Sequence, residues 1–137
     1  MNVNKYKIGL TFGVFDLIHS GHVNLLENAK KKCDILIVCI SSDEYVRKVK
    51  SHEPIIPLKE RIKVVEALKY VDKVATQTLI FGKKEAVEKF QPDVLFVGND
   101  WTSSTYTGMN LGVPVVFLPY TKGISSTELR ARVSKIL

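Results

Sequence analysis

Two histidines, His19 and His22, bracket a serine and a glycine in the stretch GVFDLIHSGHVNLL, directly after the mostly apolar run Lys7 to Phe12. That run reads as a strand ending at Gly13, while Val23, Leu25, Leu26 and Ala29 recur at helical spacing. The pair therefore stands where a strand hands over to a helix. Such a helix N-terminus presents unpaired backbone N–H groups and the positive end of the dipole, which suits an anion. Gly13 and Gly21 would let backbone approach a ligand closely. Imidazoles at i and i+3 can aim ring nitrogens at phosphate oxygens and donate hydrogen bonds that strengthen as charge shifts in a transition state. Two readings compete: histidines that only cap the helix, and a zinc site. Zinc asks for three or four protein ligands. His52 sits in a loop and Cys33 at the far end of the helix, so zinc ranks below phosphate.

A second cluster tips the balance from capping to phosphate chemistry. Thr121-Lys122-Gly123-Ile124-Ser125-Ser126-Thr127 combines a glycine turn, hydroxyls and a lysine at the start of the last helix, enough to cradle the far end of a polyphosphate. Ser125 and Glu128 have capping-box spacing there. Two such termini at one sheet edge point to one shared ligand. Neither GxxxxGKS/T nor GxGxxG occurs, so no P-loop and no dinucleotide fingerprint explains these sites. Ser20 lies beside histidines but lacks elbow spacing and a third triad member, so covalent catalysis is not indicated.

The elements that must position these groups alternate along the chain. Asp34 to Ile40 is an apolar, β-branched run expected of a strand covered on both faces. Ser42-Asp43-Glu44 opens a short helix, SHEPIIP is a proline-bearing loop, and Leu58 to Tyr70 places Ile62, Val65 and Leu68 on one helical face. Val71 to Ala75 reads as a third strand, Gly82 to Phe90 as a helix, and Val94 to Val97 and Val113 to Leu118 as further strands. This alternation predicts a single α/β domain over 1–137, Rossmann-like, with a five-stranded parallel sheet and helices on both faces. Ligands of such sheets bind beyond the carboxyl ends of the strands, where the histidine motif lies.

Composition narrows the partners. The 137 residues are 45% hydrophobic and 25% charged, which fits a folded globular chain with a sizeable core. The longest apolar runs have six residues, too short to span a bilayer, and the first residues lack the apolar core of a signal peptide. Cys33 and Cys39 are too few for a disulfide framework and read as core residues; a reducing cytoplasm is the expected location. A net charge of +6 favours an anionic partner, although most of these lysines read as solvated helix faces. No basic run is interleaved with aromatics, and zinc-finger and helix-turn-helix spacings are missing, so a small phosphorylated molecule is preferred to nucleic acid.

Gly13-Val14-Phe15-Asp16 followed by His19-Ser20-Gly21-His22 resembles the HxGH nucleotidyltransferases. Ser42-Asp43-Glu44, Arg61, Tyr70-Val71-Asp72, Gly98-Asn99-Asp100-Trp101 and Gly123-Ile124-Ser125-Ser126-Thr127 extend the likeness along nearly the whole chain, and the last two segments are similar to the cytidylyltransferase branch. The resemblance implies that the phosphate of a small phosphorylated alcohol, glycerol 3-phosphate foremost, attacks CTP to give a CDP-alcohol and pyrophosphate, without a covalent enzyme intermediate. It implies His19, His22, Asp16 and Lys50 as catalytic residues and Mg²⁺ as cofactor, with no metal ligand assigned. It implies nucleotide contacts from Val14, Phe15, Gly21, Arg61, Asp100, Trp101, Lys122, Gly123, Ile124, Ser125, Ser126 and Thr127. Lys48 or Lys50, and Lys83, would meet the incoming phosphate. Relatives of this size are commonly dimers, so a homodimer is expected. Val14, Lys69 and Tyr120 stand where the family usually has threonine, arginine and arginine, and Lys122 restores the charge missing at Tyr120. An ATP-using adenylyltransferase and a nucleotide-binding module that has lost its chemistry are the alternatives.

Overall fold

The computed structural model describes residues 5–98 and 106–136. In chain order the elements are β1 (Tyr6–Gly13), α1 (Ser20–Lys30), β2 (Cys33–Ser41), α2 (Asp43–Lys50), α3 (Leu58–Glu66), β3 (Lys73–Gln77), α4 (Lys83–Phe90), β4 (Val94–Gly98), β5 (Val115–Leu118) and α5 (Ser126–Ile136). The five strands form one sheet in the order β3-β2-β1-β4-β5, and each pairing is parallel. Side chains alternate across this sheet, as a period of two requires. Leu36, Val38, Ile40, Val94 and Phe96 pack with Leu26, Ala29 and Val65 on one face, while Leu10, Ile37, Cys39 and Leu95 pack with Ala86 on the other. Helices thus cover both faces, and both cysteines are buried. No helix among the described residues is long and apolar enough to cross a membrane.

Several boundaries differ from the sequence reading. α3 ends at Glu66 rather than Tyr70, because residues 67–70 tighten into turns in which Leu68 N–H bonds Val65 C=O and Val71 N–H bonds Leu68 C=O. Leu68 and Tyr70 still pack on the first core cluster. β3 begins at Lys73 rather than Val71, since the carboxylate of Asp72 accepts from Leu36 N–H at 2.7 Å and from Lys30, which occupies the residue as an anchor at the strand entrance. The same shift carries β3 two residues further, to Gln77. β5 begins at Val115, after Pro114, which has no N–H to give a ladder and contributes only its carbonyl to Leu95 N–H.

β1 lies between β2 and β4, so the chain winds one way from β1 through β2 to β3 and returns to the other side for β4 and β5. The crevice beyond the carboxyl ends of β1 and β4 is where such a reversal opens a ligand site. A buried charge shapes its rim. Arg61 on α3 is 1% exposed and donates to Val14 C=O (2.7 Å) after β1, to Ser41 C=O (2.8 Å) at the end of β2 and to Ile56 C=O (2.8 Å) in the α2–α3 loop. It also pairs with Asp43 at the start of α2. The expectation that Arg61 binds nucleotide gives way to this arrangement, in which its guanidinium is turned onto backbone and Asp43.

Replacing Arg61 with Met keeps much of the volume and strands three carbonyls and a carboxylate. The expected cost is about 3–5 kcal/mol of stability, read by urea or thermal unfolding. A loss below about 1 kcal/mol would contradict the structural role.

Candidate active site

His19 is the N-cap of α1, with extended backbone at φ −143° and ψ −179°. Its ring Nδ1 accepts from Gly21 N–H at 3.0 Å, while His22 Nδ1 accepts from His19 N–H at 3.1 Å. These bonds build a reciprocal cap in which histidines take the places usually held by Ser or Thr and by Glu. An Nδ1 that accepts from a backbone N–H carries no proton, so in the neutral ring the proton sits on Nε2. Capping and phosphate chemistry are thus compatible: one nitrogen of each ring holds the helix, and the other is left as a donor. Burial lowers the pKa of His19, and burial together with the neighbouring His19 pulls His22 down to about 4, against a smaller opposing pull from Asp16. The ring centroids are 4.0 Å apart, and His22 also packs against Phe15.

The glycines of this motif serve the rings first. A Cβ on Gly21 would stand 2.7 Å from His19 Cε1, and one on Gly13 would stand 2.6 Å from Phe15 Cε2. A side chain at either would strike these rings, and both glycines also line cavities, Gly13 the smaller and Gly21 the larger of two. Phe15 and Leu17 adopt left-handed backbone, φ 56° and 50°, in the sharp turn that carries β1 into α1.

Asp16, expected as a catalytic carboxylate, is 2% exposed and has its oxygens taken by Ile55 N–H (2.8 Å) and Ile56 N–H (2.9 Å), with Arg130 of α5 at 3.6 Å. Its backbone carbonyl accepts from the Ser126 hydroxyl. Asp16 is a positioning residue that ties the histidine loop to the α2–α3 loop and to α5. Ser125 Oγ accepts from Glu128 N–H at 3.1 Å, as the capping spacing anticipates, and Thr127 Oγ1 accepts from Arg130 at 3.3 Å. Thr121, in the preceding turn, accepts from Asn24 of α1 at 2.8 Å. The two helix termini are therefore linked directly, through Asn24–Thr121 and through Ser126–Asp16.

Two cavities meet at the shared residues Phe12, Leu25 and Gly98. One, of about 460 Å³, is lined by Gly21, Tyr120, Thr121, Gly123, Ile124 and Ser125 beside the two termini. The other, of about 230 Å³, lies beyond β1, β2 and β3 and is lined by Val14, Lys50 and Lys83, among others. Lys50 faces this cavity; Lys48, two residues away on α2, is exposed and does not. Lys83 lies between the rings of Phe12 (5.2 Å) and Tyr106 (5.5 Å), and burial followed by the charge of Lys50 lowers its pKa. Lys122 is exposed on the turn before α5 and lines neither cavity. Asp100 and Trp101 lie outside the described residues. No cluster of three His, Cys, Asp or Glu that could hold a metal occurs among the described residues. The chain offers no cage for Mg²⁺ there, and Asp16 is already engaged.

Residues 10–132 match the family model described as cytidylyltransferase-like. The chain belongs to the cytidylyltransferase-like family. It is 34% identical over 121 residues to a glycerol-3-phosphate cytidylyltransferase of Staphylococcus aureus, covering 88% of this chain and 90% of that one. It is 37% identical over 131 residues to an FAD synthase of Pyrococcus abyssi, covering 91% of this chain and 86% of the relative. A lipopolysaccharide core biosynthesis protein from Thermoplasma volcanium shares the fold with a TM-score of 0.71 at 27% identity, over 87% of this chain and 99% of that one. Membership makes nucleotidyl transfer the general chemistry of the chain.

Within this family setting, the sequence reading left out Ser41, Tyr45, Gln77 and Tyr106, all of which line the smaller cavity. A signal for Gln77 existed. A polar residue closing a strand at its carboxyl end belongs to the ligand edge, but the stretch Val71 to Ala75 stops short of it.

His19→Asn should separate the two jobs of His19, because Asn caps helices well and has no Nε2. Stability should change by less than about 1 kcal/mol while turnover falls by roughly 10²-fold or more, the loss expected for a transition-state donor. Near-native turnover in this variant would refute the role given to Nε2. The pH profile of stability offers a second check. His22 in the folded chain titrates below a free imidazole, so as pH falls the unfolded chain takes up that proton first. The contribution is intact above about pH 6.5 and lost toward pH 4. Tm should fall across that window, and His22→Asn should flatten the fall; an unaltered slope would contradict the half-buried neutral ring.

Proposed function

We propose that the chain transfers a cytidylyl group from CTP to a small phosphorylated alcohol, with glycerol 3-phosphate the leading acceptor. The observation that carries the reading is the histidine cap at the N-terminus of α1, whose Gly21 lines a cavity that shares Phe12, Leu25 and Gly98 with the lysine-lined one. In the proposed step an oxygen of the acceptor phosphate attacks the α-phosphorus of CTP in line. The bond from that phosphorus to the β-phosphate bridging oxygen breaks, and pyrophosphate leaves with the electron pair. Charge then moves toward oxygens to which Nε2–H of His19 and His22 would donate, so catalysis is positioning plus charge stabilisation. Lys83, and Lys50 beside it, would draw the acceptor phosphate inward. When bound, Mg²⁺ would supply neutralisation of the triphosphate charge; no cluster of carboxylates among the described residues would hold it. A homodimer belongs to the same reading and is checked by sedimentation velocity.

ATP in place of CTP is the second reading, favoured by the likeness to an FAD synthase at comparable identity and coverage. Pyrophosphate release with CTP or ATP against glycerol, ribitol, ethanolamine and choline phosphates decides between them. CTP with glycerol 3-phosphate should be the best pair. Lys83→Ala should raise the acceptor KM about tenfold or more and leave the CTP KM within about twofold, since a charge-assisted contact to phosphate is worth about 1.5–3 kcal/mol. Preference for ATP would overturn the cytidylyl assignment, and a raised CTP KM with an unchanged acceptor KM would reverse the two ends of the site.

A further inference from the structure

The floor of the smaller cavity carries polar chemistry that the phosphates do not use. β2 and β3 end side by side at Ser41 and Gln77, each 3% exposed. Ser41 Oγ donates to Gln77 Oε1 at 3.3 Å, and Gln77 Nε2 donates to the Tyr45 hydroxyl at 3.3 Å. All three residues line the cavity. These bonds use one of the two N–H groups of the amide and one of its two oxygen lone pairs. A buried amide beside a cavity is best matched by a ligand group that both gives and accepts a hydrogen bond. A hydroxyl does both; an ammonium only donates.

We propose that Gln77, held by Ser41 and Tyr45, is a specificity-determining residue that reads an uncharged hydroxyl on the organic part of the acceptor, selecting polyol phosphates over amino-alcohol phosphates. The inference rests on the acceptor reading of this cavity. Charge acts in the same direction. Lys50 and Lys83 already face the cavity, and the ammonium of an amino-alcohol phosphate would be a third cation in that space. Burial, and after it the charge of Lys50, already lower the pKa of Lys83.

Calorimetric titration of the full chain with glycerol 3-phosphate and with phosphoethanolamine tests this, because the two ligands share a phosphate and differ in the group offered to Gln77. The wild-type chain should bind glycerol 3-phosphate about tenfold or more tightly than phosphoethanolamine. Gln77→Glu keeps the shape, places a carboxylate on the floor and should narrow or reverse that ratio by about tenfold. Gln77→Met guards against a misfolded Glu variant: it should weaken glycerol 3-phosphate and leave phosphoethanolamine unchanged. Equal wild-type affinities, failure to bind glycerol 3-phosphate, or a parallel loss of both ligands in both variants would overturn the assignment. Pyrophosphate release by the wild type, run in parallel, keeps the two claims apart. Preference without turnover refutes nucleotidyl transfer and leaves Gln77's role standing, whereas turnover without preference refutes only Gln77.

Discussion

A buried guanidinium governs the shape of the crevice. An arginine inside a protein is expensive unless its donors are met, and Arg61 meets them with carbonyls drawn from three segments and with Asp43. Ile56 shows how far the constraint reaches. Its carbonyl accepts from Arg61, and its N–H donates to Asp16. Two charged groups of opposite sign thus hold the α2–α3 loop through one residue, and both are almost fully enclosed. The ends of β1 and β2, the start of α2 and the loop after it can be arranged in few ways once those bonds are made.

The histidine pair depends on that frame. With Val14 C=O turned to Arg61 and the Asp16 carboxylate turned to the α2–α3 loop, the chain passes through left-handed backbone at Phe15 and Leu17 before α1 begins. Such conformations persist where surrounding contacts over-determine them, and they are common at ligand sites. The turn delivers His19 to the N-cap position, and the cap bonds then settle which ring nitrogen faces outward. Ser126 reaches the Asp16 carbonyl from α5, so the second helix terminus is registered against the first. Nucleotidyl transfer needs little more from a protein than this kind of placement, because the reacting phosphates carry the covalent chemistry themselves.

Much of this was legible in the sequence. The alternation of apolar β-branched runs with helical periodicity leads to the parallel sheet, Ser42 reads correctly as a helix opener, and HSGH marks the start of α1. What burial decides was harder to see. Arg61 and Asp16 look like ligand-facing charges in a chain that handles phosphates, yet both are interior. The position of Arg61 four residues before Val65, on the apolar face of α3, was a readable sign. Gln77 is hard to see because β3 runs two residues beyond Ala75, through the polar Thr76, and nothing local separates Lys48 from Lys50 on a helix whose last turn carries Arg47, Lys48 and Lys50.

The central claim is that each histidine spends Nδ1 on the helix and offers Nε2–H to the triphosphate. Nitrogen-15 resonances of the imidazole rings, recorded at neutral pH with and without CTP, address it most directly. The account predicts the Nε2–H tautomer for His19 and His22 in the free chain and a change at both Nε2 signals on adding CTP, with the Nδ1 signals still those of hydrogen-bond acceptors. A proton on Nδ1 of either ring, or rings that do not respond to the nucleotide, would contradict it.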